Sequence, residues 1–224
     1  MSLPEWRVFA DAQTLVASLA DAVCEAAGEA IRVRGVFHLV LAGGRTPQAL
    51  YRVLAERHAG DAHWHIWYGD ERCLPVDDPA RNSHMAESAW LADSAIPLQN
   101  RRPIPAELGA IQAAERYRAW LAGVPDFDLS LLGMGEDGHT ASLFPGQIWE
   151  GEDVIAVHDA PKPPPERVSL SASRLSHSRR VWFIVTGEEK REAVARWKKA
   201  EPLPVSRVRG EAETVVWLDQ VAAG

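Results

Sequence analysis

The chain has 224 residues, 46% hydrophobic and 25% charged, enough to bury one sizeable core and suited to a single domain over 1–224. The formal net charge is -7 with no long Lys or Arg run, which argues against a general nucleic-acid or anionic-membrane surface. Cys24 and Cys73 are too few for a disulfide framework and lack metal-ligand spacing. The start, Met1-Ser2-Leu3-Pro4-Glu5-Trp6, has no basic stretch followed by an apolar core. No apolar run approaches the ~20 residues that cross a bilayer. A cytoplasmic protein with no membrane partner is expected, and its scattered tryptophans read as packing residues.

In chain order, Leu15, Leu19, Ala22, Val23, Ala26, Ala30 and Ile31 recur at helical spacing over 11–34, and Gly35 interrupts them. Residues 36–41 read as a buried strand. Thr46-Pro47 opens the next helix, with Thr as N-cap and Pro at the first position, and that helix runs to about His58. A strand at 64–68, a helix near 83–91, a loop over 96–105, a helix over 107–121 and a buried strand at 127–132 follow. Residues 154–157 form a short strand. The proline-rich stretch 160–166 is a stiff loop, because four prolines remove four backbone donors. Strand sequence resumes at 167–170, then comes a strand at 181–185, a helix over 188–199 and a strand at 214–218. Strands alternating with helices predict an α/β fold, a Rossmann-like and mostly parallel sheet with helices on both faces. In such folds ligands bind beyond the carboxyl ends of the strands.

Four motifs follow strand ends. Gly43-Gly44-Arg45-Thr46 offers a tight backbone turn, a helix N-terminus and a guanidinium, all suited to phosphate, although an ordinary strand-to-helix turn has the same look. It is neither a P-loop nor a dinucleotide fingerprint. Asp70-Glu71-Arg72 puts two acids and a second candidate phosphate ligand, Arg72, on the same edge. Gly133-Met134-Gly135-Glu136-Asp137-Gly138-His139-Thr140 is a sharply bent turn that delivers Asp137 and His139 together. Histidine titrates near neutrality and suits a general base, and a neighbouring carboxylate can orient it. Asp-Gly-His is also a possible metal half-site, but no second cluster has matching spacing, and His63 with His65 lie short of the strand end. Arg167, after the proline loop, and Lys190, at a helix start, complete the set. A Lys in a first helical turn opposes the helix dipole, a cost that a bound anion offsets.

Gly43-Gly44-x-Thr46-Pro47, Asp70-Glu71-Arg72-x-x-Pro75 with Asn82 and Met85, and Leu132-Gly133-Met134-Gly135-x-Asp137-Gly138-His139-Thr140-Ala141-Ser142-Leu143-Phe144-Pro145 together resemble the 6-phosphogluconolactonase family. The resemblance implies the fold of glucosamine-6-phosphate deaminase. It also implies hydrolysis of 6-phospho-D-glucono-1,5-lactone to 6-phosphogluconate, the second step of the oxidative pentose phosphate pathway. A small sugar phosphate is the implied partner, with no metal and no organic cofactor, and a monomer is expected. Carried over by position, His139 is the base that activates water and Asp137 its neighbour. Gly43, Gly44, Arg45, Thr46, Asp70, Arg72, Arg167 and Lys190 are the substrate-binding candidates. Two departures, Arg45 and Arg81 where the family commonly has Ser, add positive charge near the expected phosphate and leave open which arginine makes the main contact. A deaminase on the same fold would want an acid shortly after Asp-Gly-His, where this chain has Leu143-Phe144-Pro145. A catalytically silent sugar-phosphate sensor would need no base.

Overall fold

A computed structural model describes residues 4–147 and 151–224. The leader reading of Met1–Leu3 and the packing role expected of Trp149 lie outside the described residues. The elements are β1 (Glu5–Phe9), α1 (Ala12–Arg34), β2 (Phe37–Leu41), α2 (Arg45–Glu56), β3 (Trp64–Tyr68), β4 (Asp70–Arg72), α3 (Asn82–Ala89), α4 (Ala110–Leu121), β5 (Phe127–Gly133), β6 (Val154–Val157), β7 (Arg167–Leu170), α5 (Ala172–Ser176), β8 (Ser178–Val185), α6 (Arg191–Lys198), β9 (Glu213–Asp219) and α7 (Gln220–Ala223).

Six strands form one sheet in the order β1-β9-β8-β5-β2-β3, every neighbouring pair parallel. β2 is buried throughout and β5 over all but its last residue, which is why both read as unbroken apolar runs rather than alternating ones. From β1 to β2 to β3 the chain steps one way across the sheet, and from β3 through β5 and β8 to β9 it steps the other. Right-handed crossovers then put α1 and α2 on one face and α4 on the opposite face. The reversal falls between β2 and β5, so a crevice opens at their carboxyl ends.

α1 is well bounded. The Asp11 carboxylate accepts the Thr14 N–H at 2.7 Å, and Gly35, at φ 77°, ends the helix while its N–H donates to the Ile31 carbonyl. The stripe Leu15, Leu19, Val23, Ala26 and Ala30 is buried as its spacing requires.

Four features depart from the sequence expectations. β1 was not expected: Glu5-Trp6-Arg7-Val8-Phe9 has charges at Glu5 and Arg7, and it becomes a strand only because β9, from the far end of the chain, offers an edge. There Trp6 packs edge-on against Trp197 and Phe9 stacks on Trp217. A second, antiparallel sheet, β4-β7-β6, stands beside the first, so the strand-end motif at 70–72 is itself a strand. α2 starts at Arg45 with Gly44 as its cap, not at Pro47 with Thr46 as the cap. The helices expected at 107–121 and 188–199 each begin as a 3-10 turn, Ala106–Leu108 and Glu188–Lys190, before α4 and α6.

Trp64, Trp67, Trp90, Trp182, Trp197 and Trp217 are buried, as the packing reading requires. His63 and His65 do not converge: the His63 ring donates to the Gly35 carbonyl, and the His65 ring lies against that of His38. His38 is buried at the amino end of β2. Its backbone N–H donates to Asp128, and its Nδ1 accepts the Trp67 indole N–H at 3.1 Å. Burial, reinforced by His65, holds the His38 pKa down to about 4 against 6.5. The unfolded chain therefore takes up a proton at pH values where the folded chain does not. The stability tied to neutral His38 is complete above pH 6.5 and is lost as pH falls through 4. Thermal melts are expected to show a shallower fall of stability over that window for His38→Gln than for wild type. Parallel curves would show that His38 is not the group being titrated.

Candidate active site

A cleft of about 320 Å³ opens at the carboxyl edge of the six-stranded sheet. Its walls come from the turn after β2 (Gly43, Gly44), the start of β4 (Asp70, Arg72), the turn after β5 (Gly133 to His139), the proline loop, Arg167 at the start of β7 and Lys190 beyond β8. Each wall follows or flanks a strand end, because the parallel strands all deliver their carboxyl termini to one side.

The His139 turn is held by its own backbone. Gly135 N–H donates to the His139 carbonyl, Gly138 N–H to the Gly135 carbonyl and the Thr140 hydroxyl to the Gly133 carbonyl. Gly138 sits at φ 86°, which favours glycine. At Gly135 a Cβ would lie 2.0 Å from His139 Nδ1, so the ring occupies the space that a side chain there would fill. His139 Nδ1 and Asp137 Oδ1 are 2.5 Å apart. Burial pushes the Asp137 carboxyl up, but the His139 backbone N–H and ring outweigh it and leave it below the ordinary value. Asp137 is thus an ionised acceptor. His139 carries its proton on Nδ1 toward Asp137, and the Nε2 lone pair is left for chemistry. Asp137 is not among the cleft-lining residues and stands behind the ring. The Phe144 ring packs on His139 with centroids 4.6 Å apart. Burial outweighs the Asp137 charge and keeps the His139 pKa below 6.5, so the imidazole is neutral at pH 7.

Cations gather in the same cleft. Antiparallel pairing of β4 with β7 sets Arg72 directly across from Arg167. Like charges facing each other on adjacent strands are unfavourable. Arg167 is only 6% exposed. Burial, and to a smaller extent Arg72, lower its pKa, while Asp70 acts in the opposite sense. A phosphate between the two guanidinium groups would remove both penalties. Arg167 also donates to the carbonyls of Lys162, Pro163 and Pro164 and so shapes the proline loop. Lys190 lines the same cleft.

Lys162 is a cleft-lining cation that sequence reasoning missed, and its ammonium pairs with Glu136 at 2.8 Å. Its only sequence signal was its place within the proline loop. Arg45 and Thr46, expected at the phosphate, do not line the cleft. The Arg45 side chain is 96% exposed on the first turn of α2, and the Thr46 hydroxyl bonds that of Thr186 at 2.6 Å.

Arg81 adds no charge to the cleft either. It is 2% exposed, held between Glu71 and Glu107, and it donates to the Ile104 carbonyl. Glu71, fully buried, accepts the backbone N–H groups of Arg72, Asn82 and Ser83 and so caps α3. Asp70 lines the cleft. Asn82 and Ser142 hold it, and both were visible in the motifs without an assigned role. Gly135 and Gly138 N–H groups are used inside the turn, so neither is free to donate to an oxyanion.

Replacing Arg72 or Arg167 by Ala is expected to weaken binding of a phosphorylated sugar by roughly tenfold to a hundredfold, the size of one charged hydrogen bond. Arg45→Ala is expected to have a smaller effect than either. Titration calorimetry checks the order, and an Arg45 effect equal to that of Arg72 would contradict this geometry.

The family described as glucosamine-6-phosphate isomerases/6-phosphogluconolactonase matches residues 10–217. The chain is 35% identical to a 6-phosphogluconolactonase of Mycobacterium leprae, over 96% of each chain. It is 36% identical to a GDH/6PGL endoplasmic bifunctional protein of Oryctolagus cuniculus, over 91% of this chain, and spans only 28% of that protein's length. A crystal structure of a 6-phosphogluconolactonase from Thermotoga maritima superposes with a TM-score of 0.91 at 29% identity, covering 97% of this chain and 100% of the other. A monomeric glucosamine-6-phosphate deaminase shares the fold, with a TM-score of 0.86 at 20% identity over 98% of each chain. The chain belongs to the glucosamine-6-phosphate isomerase/6-phosphogluconolactonase family.

Proposed function

We infer that the cleft hydrolyses 6-phospho-D-glucono-1,5-lactone to 6-phosphogluconate, with His139 as general base. The observation that carries this reading is a neutral histidine, backed by an ionised carboxylate, lining the same cleft as a cross-strand pair of arginines. The relatives named 6-phosphogluconolactonase, matched along nearly their whole length, support the same activity. The chain is accordingly read as a carboxylic ester hydrolase acting on a sugar-phosphate lactone.

Arg72, Arg167 and Lys190 hold the phosphate, and the lactone carbonyl lies toward His139. The Nε2 lone pair takes a proton from water as the water oxygen bonds to the carbonyl carbon, and the carbonyl becomes a tetrahedral oxyanion. The oxyanion then collapses, the bond from carbon to the ring oxygen breaks, and that oxygen leaves with the proton held by His139. The base returns to its neutral form. A lactone is already reactive, so one base worth roughly 10²–10⁴-fold, together with positioning, suffices. No step requires a metal or an organic cofactor. Asp70 is the single acid among the cleft-lining residues, and Phe144 presents an apolar ring to His139 where a deaminase would want an acid.

Among the described residues the main hydrophobic core runs from Leu15 to Ala222, which supports reading the chain as a single catalytic domain. No helix among the described residues is long and apolar enough to cross a membrane. The acidic net charge and the lack of long basic runs support a cytoplasmic chain without a nucleic-acid partner.

The direct test follows acid release from fresh lactone against spontaneous hydrolysis. The chain is expected to accelerate it, and His139→Ala to lose roughly 10²–10⁴-fold of that acceleration. Ammonia release from glucosamine 6-phosphate, or binding without turnover, would overturn the reading. The pH profile tests the base itself. Because the His139 pKa lies below 6.5, kcat/KM is expected to hold at neutral pH and to fall only below 6.5. Phe144→Ala admits water and moves that acid limb upward, whereas Asp137→Asn removes a charge that favours the imidazolium and moves it downward while lowering kcat. A limb that stays in place in both variants would mean that another group is being titrated.

A further inference from the structure

Asn82 is 3% exposed and forms part of the cleft wall. It is the first residue of α3, and its backbone N–H is pinned by the Glu71 carboxylate at 2.7 Å. Its side-chain amide is gripped on two sides. Nδ2 donates to the Asp70 backbone carbonyl and to Asp70 Oδ1, each at 3.0 Å. On the other side the amide lies against Gly43, where a Cβ would come within 2.0 Å of Oδ1, 2.5 Å of Cγ and 2.8 Å of Nδ2. Glycine at 43 is therefore the condition for this amide to stand where it does. Asp70 Oδ2 accepts the Ser142 hydroxyl at 2.7 Å, and Ser142, fully buried, follows the His139 turn. Each Asp70 oxygen thus spends one lone pair on the protein and keeps one.

Asp70 is in electrostatic contact with both His139 and Arg167. It also faces Tyr51, and Arg72 lies two residues along the same strand. A carboxylate so placed would gain by swinging onto the Arg167 guanidinium, yet no ion pair between them is found among the described residues. A direct pair would occupy the cation that the phosphate needs. Two neutral donors, Asn82 and Ser142, satisfy the carboxylate from the opposite side.

We propose that Asn82 is a positioning residue whose amide, wedged between Gly43 and Asp70, holds the Asp70 carboxylate off Arg167, so that Arg167 stays available for phosphate and the free Asp70 lone pairs face the sugar ring. The proposal rests on the lactonase reading for its sugar ring, but its central claim concerns anion binding and can be tested without turnover.

The experiment titrates inorganic phosphate into the folded chain by calorimetry. Asn82→Ala releases the carboxylate, and Gly43→Ala displaces the amide by a different route. Each is expected to weaken phosphate affinity about tenfold, the loss of one charge-assisted hydrogen bond. Adding Asp70→Asn to either variant removes the competing charge and is expected to restore affinity to within about threefold of wild type. Asp70→Asn alone gives the gain from removing the charge, and a merely structural role for Asn82 predicts no larger gain in the Asn82→Ala background. Wild-type affinity in both single variants, or failure of Asp70→Asn to restore binding in variants that still melt cooperatively, would overturn the proposal. Should Asn82→Ala not fold, the Gly43→Ala pair decides alone. Absence of lactone hydrolysis by a wild-type chain that binds phosphate would instead count against the function proposed above.

Discussion

Antiparallel pairing of β4 with β7 puts Arg72 across from Arg167, and two guanidinium groups held that way repel while one of them is stripped of water. Much of the cleft can be understood as the setting for that pair. The small second sheet exists beside the large one and aims both side chains at the carboxyl edge. The proline loop is shaped by Arg167 donating to three of its carbonyls, so the same residue that awaits an anion also builds the wall next to it. The neighbouring acid that would most readily neutralise the pair, Asp70, is satisfied by amide and hydroxyl donors instead. The charge imbalance costs some stability, and a phosphate bound between the two arginines would relieve it.

The base obeys a different balance. A carboxylate at 2.5 Å would by itself raise the pKa of an imidazole, and burial against an aromatic ring would lower it. Here burial wins, so the His139 imidazole is neutral at pH 7, while Asp137 still fixes the tautomer and would compensate an imidazolium. The two effects come from opposite sides of the ring and can be altered separately.

Glycine serves the site by leaving space. At 135 it gives the His139 ring its place, and at 43 it gives the Asn82 amide its place. Both are close approaches of a side chain to backbone. The His139 ring and the Asn82 amide are therefore located by backbone turns at strand ends, which are rigid because the strands beneath them are buried.

The parallel α/β architecture and the bent turn that joins Asp137 to His139 were legible in the sequence. Buried parallel strands must be apolar on both faces, and bends that bring Asp137 and His139 together need glycine, so each leaves a local signature. Tertiary structure decided the rest. β1 and β4 are strands only because distant partners offer hydrogen bonds to them, and neither has the apolar run that marks β2 or β5. Three arginines looked equivalent as letters. Arg45 ended in solvent, Arg81 in a buried ion pair and Arg72 in the cleft, because the direction of a long side chain depends on which element carries it and what packs beneath it. Lys162 and Asn82 entered the cleft wall for the same reason. The sequence alone determined which reactive side chains one turn brings together, since that depends on residue types at local spacing. Only the fold decided which charges meet the ligand, since that depends on register between segments far apart in the chain.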